Sequence, residues 1–219
     1  MGNYSLALTL SQQALTIYQQ CLPPNHHLLA HALNNIGSVY NELDDFDRAC
    51  EYYEEALKIQ AETFGKNKDS HLLVAVSLNN IATSQFDKAR FQEAEVAFKR
   101  VLETKLAILG GNSSLHPSLA IAYNNLALTQ MKQGRFDEAM VNYKHTLDIE
   151  QSMGDRVNIC STYNNIGGVY DEKGDFVNAE RFYSKAYITA LTFLPNNHPS
   201  VQLYQRHMEQ VRQKSVKKD

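Results

Sequence analysis

The sequence predicts an all-α superhelix, a solenoid of stacked helix pairs, and three observations lead there. Asn-Asn pairs begin at Asn34, Asn79, Asn124 and Asn164, at spacings of 45, 45 and 40 residues. A second landmark keeps step with them. Phe46, Phe91, Phe136 and Phe176 each lie twelve residues past the first Asn and three before Ala49, Ala94, Ala139 and Ala179. Around the landmarks, apolar residues follow the i, i+3, i+4, i+7 rhythm of one helical face, as in Leu33, Ile36, Gly37 and Tyr40. Two landmarks in fixed register define an internal repeat, and a repeat of this length is a supersecondary unit that buries its apolar face on its neighbours.

Taken in order, residues 1–22 carry Tyr4, Ala7 and Ala14 in the register of a second helix, so they form a half repeat whose first helix is missing. Four complete repeats are expected at 26–65, 71–110, 116–153 and 156–194. In the first of these, one helix should run from about His31 to Leu43 and its partner from Phe46 to about Phe64. Short turns join the two helices of a pair: LDD at 43–45, QGR at 133–135 and KGD at 173–175. Longer loops rich in Gly, Pro, Asn and Ser separate the pairs, at 22–27, 64–70, 109–117 and 194–199. The loop QSMGDR at 151–156 is shorter by about five residues, which accounts for the single spacing of 40. Residues 198–216 carry an apolar stripe of Val201, Tyr204, Met208 and Val211 with Gln205, Arg206, Gln210 and Arg212 opposite. That is the pattern of a capping helix, which a helix-pair array needs at its end. The missing partner at the other end implies a piece of a longer array, or a face that pairs with another chain; the first is the expectation favoured here.

Small residues punctuate both helices. Gly37, Ala82, Ala127 and Gly167 fall on the core stripe of the first helix, and Ala49, Ala94, Ala139 and Ala179 on that of the second. Small side chains let helix axes approach closely, while the Phe at each turn fills the remaining wedge.

Composition narrows the function. With 43% hydrophobic residues and a formal net charge of −3, the chain has an ordinary soluble composition, and it lacks the basic stripe of a nucleic-acid binder. Cys21, Cys50 and Cys160 are odd in number and scattered, which reads as reduced thiols in a cytoplasmic setting. The N-terminus has no signal-peptide pattern, and no apolar run reaches the ~18 residues of a membrane span. The two Asn-X-Ser sequons, at Asn3 and Asn112, read as chance matches. No membrane or nucleic-acid partner is therefore expected, and no cofactor.

Catalytic and metal motifs are not in view either. GGNSS at 110–114 lacks the Gly-Lys-Ser/Thr ending of a phosphate loop, and no Ser/His/Asp or Cys/His set is tied together, so the chain is not expected to be an enzyme. His26, His71, His116 and His198 each precede a first helix; one per unit, they cannot converge on a metal, and hydrogen bonding at the helix start is the expected role. His27 and His31 stand at i, i+4 on one face, without a third ligand.

The motifs L/Y-N-N-I/L-G/A, then G-x-F-x-x-A, then Ala56-Leu57-Lys58-Ile59 resemble the tetratricopeptide repeat. A unit of ~34 residues is usual for that family and ~40–47 for HEAT and armadillo repeats, so the residue pattern rather than the length decides. The long-repeat variety, as in kinesin light chains and nephrocystin-3-like proteins, is the most similar. The resemblance spans Gly2 to about Ser200, with no Trp on the first helix and no Pro closing the second. It implies a non-catalytic scaffold or adaptor that binds a peptide segment of another protein in a concave groove lined by the first helices. A motor-linked cargo adaptor of kinesin-light-chain type, or a spacer within a longer array of neighbouring repeats, is the alternative.

On a helical wheel of ~100° per residue, Asn34 falls about 100° from Leu33, flanking the core stripe rather than lying in it. The resemblance makes that flank the groove, with Asn34, Asn79, Asn124 and Asn164 as rungs. An Asn amide both donates and accepts, so it suits an extended peptide backbone. First helices ~10 Å apart and ~3.3 Å per peptide residue give one rung for roughly three ligand residues. The same amides would equally serve bonds between adjacent helices, and both readings stay open. By the same wheel the groove includes His31, Ser38 and Asn41 at one end, Phe86, Leu128, Met131 and Lys132 in the middle, and Asp171 at the other end. An apolar middle between polar and acidic ends fits a peptide with one large apolar anchor and basic or neutral flanks; alternatively, the apolar residues pack on neighbouring helices.

Overall fold

The computed structural model describes residues 2–65, 72–110 and 116–216. These residues form ten α-helices and no strand. The chain divides into two compact units, Met1–Ser113 and Ser114–Asp219.

In the first unit, α1 (Gly2–Cys21) packs on α2 (His27–Glu42), which pairs with α3 (Phe46–Phe64); α4 (Leu72–Asp87) pairs with α5 (Phe91–Ile108) and also packs on α3. The pairing of α2 with α3 rests on a glycine. A Cβ on Gly37 would lie 2.6 Å from Cε1 of Tyr53, so the tyrosine ring occupies the space a larger residue would need. Ala49 and Ala56 of α3 are fully buried, as are Ala82 of α4 and Ala94 of α5. Leu15 of α1 packs on the Ala30, Leu33 and Ala56 cluster, while Leu6, Leu10 and Ile17 on the same helix are exposed.

In the second unit, α6 (Pro117–Lys132) pairs with α7 (Phe136–Met153), α8 (Arg156–Glu172) with α9 (Phe176–Leu191), and α10 (Pro199–Val216) packs on α9. Gly167 repeats the close approach, its would-be Cβ 2.7 Å from Cδ1 of Tyr183. Tyr143 stands at the same register in α7, opposite Ala127, and is fully buried. Val201, Tyr204, Met208 and Val211 of α10 are buried, closing over Ala179, Tyr183, Ala186 and Ala190 of α9.

The turn inside each pair is the same. The amides of Asp45, Arg90, Arg135 and Asp175 donate to the carbonyls of Tyr40, Gln85, Gln130 and Tyr170, five residues back, at 2.8–2.9 Å. This is the long bond of a Schellman motif, which requires a left-handed residue just before the donor. Gly134 and Gly174 meet that need at φ +73°, but Asp44 (φ +57°) and Ala89 (φ +59°) adopt it without glycine. The turn Lys88-Ala89-Arg90 therefore forms although its sequence carries no turn signal.

The helix starts explain one difference from expectation. The α2 helix begins at His27, four residues before His31, because Nδ1 of His26 accepts the Leu28 amide at 3.3 Å and caps the helix there. His116 and His198 do the same for the amides of Ser118 and Ser200, each at 3.2 Å. His71, the residues 66–70 of the second expected loop and most of GGNSS lie outside the described residues.

Candidate functional site

Within each unit, helices at the first-helix position touch each other through polar side chains. Between α2 and α4, Nδ2 of Asn34 donates to Oγ of Ser77 at 2.9 Å, and that hydroxyl returns a bond to Oδ1 at 3.2 Å. Two turns on, Ser84 donates to Oδ1 of Asn41. Between α6 and α8, Nδ2 of Asn165 donates to Oδ1 of Asn124 at 3.1 Å. Between α8 and α10, His207 Nδ1 lies 2.7 Å from Oδ1 of Asn164, Ser161 and Tyr204 share a hydroxyl contact of 3.3 Å, and Lys214 binds both oxygens of Asp171 at 2.7 Å. Burial lowers the His207 pKa. The neutral ring then carries its proton on Nδ1 and donates to the asparagine.

Three of the four leading asparagines thus bond to a neighbouring first helix. Asn79 is the exception: half-buried, it has no hydrogen bond among the described residues. The amide nitrogens of Asn124 and Asn164 are also unengaged, since both side chains use only their oxygens. Their donors remain available on this face.

The other expected site residues are spread over two environments. His31 is exposed and contacts the Asn35 amide at 3.3 Å; exposed Ser38 accepts from the Tyr53 hydroxyl at 3.2 Å. Phe86 sits edge-on to Phe91, with ring centroids 5.4 Å apart, so its ring forms part of the turn between α4 and α5. Met131 packs on the Ala127, Ala139 and Tyr143 cluster, Leu128 is half-buried, and Lys132 is exposed. The large apolar groups exposed on the first helices α4, α6 and α8 are instead Leu72, Val76, Ile121 and Val157.

Sequence reasoning missed the partners. Ser77, Ser84, His207, Tyr204 and Lys214 each stand 43 residues beyond the group they contact, and Asn165 stands 41 beyond Asn124. That offset between polar residues is a readable signal, distinct from the 45-residue spacing of the landmarks. Also missed was a cavity of about 290 Å³ in the second unit, bordered by Asn124 and Asn165. Glu150 lies in its wall with a pKa raised to about 7, chiefly by burial; the Thr162 hydroxyl opposes the shift and the Asp155 charge adds to it. Among the described residues no group of three or more His, Cys, Asp or Glu could hold a metal ion, and no helix is long and apolar enough to cross a membrane.

Comparison with known proteins settles what this architecture is. A family model described as Tetratricopeptide repeat matches residues 1–62, 32–107 and 118–187. The chain belongs to the tetratricopeptide-repeat family. Among solved structures, it is similar to BtubC (BKLC) from P. vanneervenii, with 29% identity, a TM-score of 0.76, and 90% of this chain and 78% of that chain covered. It also resembles a putative kinesin light chain with nearly identical TPR-like repeats from Podosopora anserina (18% identity, TM-score 0.73, 88% and 89% covered) and the apo form of RapI (16%, 0.62, 99% and 79%). No curated protein matches the sequence. The fold is the all-α superhelix of the tetratricopeptide-repeat family, and it is similar to that of the putative kinesin light chain.

Proposed function

We propose that this tetratricopeptide-repeat chain is a non-catalytic scaffold or adaptor that binds an extended peptide segment of another protein along its first helices. The observation that carries the reading is the set of unengaged amide donors, Asn79, Asn124 and Asn164, one per repeat on the side of the first helix that flanks the core. Amide donors at one per repeat match an extended backbone that offers a carbonyl at each residue. The oxygens of Asn124 and Asn164 are held by neighbours, so these rungs are positioned before a ligand arrives, and less ordering entropy opposes binding. His31, Ser38 and Asn41 line the same side in the first repeat and Lys132 and Asp171 in the later ones. Within the first unit Val76 adds an exposed apolar side chain on the helix of the expected anchor Phe86, and within the second Ile121 does so on the helix of Leu128 and Met131.

A random-peptide selection on the wild-type chain and on an Asn79→Ala, Asn124→Ala variant tests the proposal. Peptides enriched by the wild type and lost by the variant support it; equal enrichment removes the asparagines from the site, and no enrichment by either chain makes it a spacer. A Phe86→Ala, Met131→Ala pair tests the apolar anchor in the same assay, since unchanged binding of every selected peptide removes those two residues from the site. The likeness to a putative kinesin light chain favours cargo adaptation as a second reading. It calls for a heptad coiled coil elsewhere in the full reading frame.

A further inference from the structure

Glu150 closes α7 in the second unit and is only 6% exposed. The Thr162 hydroxyl donates to its Oε1 at 3.1 Å, while Oε2 is buried without a hydrogen-bond partner among the described residues. A buried carboxylate with half its acceptors unused is costly, and such a group calls for an occupant. Glu150 lines the 290 Å³ cavity together with Asp155, the amides of Asn124 and Asn165, and the apolar side chains of Ile121 and Met153. The two-residue connection Gly154-Asp155 between α7 and α8 brings the second carboxylate to the same wall. The Asn165 Oδ1 is a further free acceptor, since that side chain bonds through its nitrogen.

The wall is therefore acidic and rich in acceptors, with an apolar stretch beside it. Its volume lies at the lower edge of the ~300–1,000 Å³ of small-molecule pockets, which suits one long side chain better than a whole metabolite. Two carboxylates fall short of the six or more oxygens a calcium ion takes, whereas an organic cation needs only a few acceptors. We propose that this cavity receives the side chain of a lysine or arginine of the bound peptide, with its charged head beside the Glu150 carboxyl group and its aliphatic stem against Ile121 and Met153. The inference rests on the peptide-binding reading and adds to it one specificity pocket, selective for a basic residue.

A pH signature follows from the geometry. The cation needs an ionised Glu150, whose pKa in the empty cavity is about 7. Below that pH, binding must expel a proton, so affinity should rise up to about tenfold per pH unit between about pH 5 and about pH 7 and then level off. The titratable groups around Glu150 are Asp155 in the connection and Cys160 on α8, which also feels the Arg156 charge, while α6 presents the uncharged Ile121 and Asn124. Cys160 is pushed up to about 11, chiefly by burial, and remains a thiol over this range.

The test has two arms, both on the full chain. In the first, n-butylammonium and ethylguanidinium are titrated against the neutral isostere n-butanol, read by the NMR shifts of the Asn124 and Asn165 side-chain amides. The expected result is saturable shifts with the two cations only, a pH dependence as above, and at least about tenfold weaker binding in Glu150→Gln, which keeps the Thr162 bond. Asp155→Asn, which retains an α8 cap, should weaken binding less. In the second arm, a random-peptide selection should enrich a fixed Lys or Arg on the wild type and lose that preference on Glu150→Gln. Cations and alcohol acting alike, or Glu150→Gln binding as tightly, overturns the pocket. Peptides selected with no Glu150-dependent basic residue overturn it while leaving peptide binding intact. Cation binding without any selected peptide overturns the peptide occupant and the scaffold reading together.

Discussion

A mid-helix glycine costs about 1 kcal/mol relative to alanine, so Gly37 and Gly167 need a compensating reason. The tyrosine rings 2.6–2.7 Å from their would-be Cβ atoms supply it. Gly37→Ala should destabilise the chain on balance, because overpacking of ~1–3 kcal/mol exceeds the propensity gain. In a Tyr53→Ala background the sign should reverse, which a double-mutant cycle of denaturant midpoints will show. Tyr143 presents the opposite case. Its hydroxyl is buried without a partner, and burial raises its pKa. Phe98 holds the equivalent register in the preceding repeat, so Tyr143→Phe should be neutral or stabilising by about 1 kcal/mol in the same measurement. Glu150 sets a pH dependence whose sign is the reverse of an ordinary salt-bridged carboxylate. Its pKa rises from 4.5 to about 7 on folding, so the folded state holds the proton more tightly. Stability should fall as pH rises from about 4.5 through about 7, by up to about 3 kcal/mol, and Glu150→Gln should flatten that slope. The small core residues were legible from periodicity alone. The unpaired Glu150 was not, because whether a carboxylate is buried depends on how the α7–α8 connection closes, and a five-residue shortening of a loop says nothing about what it brings together.

At the scale of single elements, the repeated turn is the informative piece. Three of its four sites carry an Asp or Gly that tolerates a left-handed backbone, and these marked themselves in the sequence as turns. Ala89 occupies the fourth at φ +59°. A left-handed conformation costs an L-residue about 1–2 kcal/mol, so Ala89→Gly should stabilise the chain by up to about 1 kcal/mol after the added entropy of the unfolded glycine is subtracted. The measurement is again a denaturant midpoint; no change would mean that the strain is relieved elsewhere. Sequence reasoning passed over this turn for the same reason that it forms: the packing of α4 on α5, with Phe86 edge-on to Phe91, overrides a poor local choice. The start of α2 slipped by four residues because a histidine cap is a weaker textual signal than Ser, Thr, Asp or Asn. The four asparagines stood out in the sequence, but the partners of Asn34, Asn124 and Asn164 were hidden at offsets of 43, 41 and 43 residues that single-helix wheels do not display.

For the chain as a whole, the repeat period carried the fold. Landmarks at 45, 45 and 40 residues were sufficient to read the all-α repeat fold before any contact was known, because each repeat packs chiefly on its sequence neighbours. Function is less legible at this scale. The tetratricopeptide-repeat family uses one architecture for many partners, and specificity resides in side chains that vary from repeat to repeat. Among the described residues the leading asparagines divide: Asn34 and Asn124 tie first helices of one unit together, Asn164 ties α8 to α10, and Asn79 has no such bond within its own unit. The most direct test is to measure, on Asn79→Ala and Asn124→Ala separately, the affinity for a peptide selected by the wild type and the denaturant midpoint. The account predicts that Asn79→Ala weakens the peptide about five- to tenfold with the midpoint unmoved, whereas Asn124→Ala loses both affinity and about 1 kcal/mol of stability. An Asn79→Ala chain that binds every such peptide as tightly as wild type would contradict it.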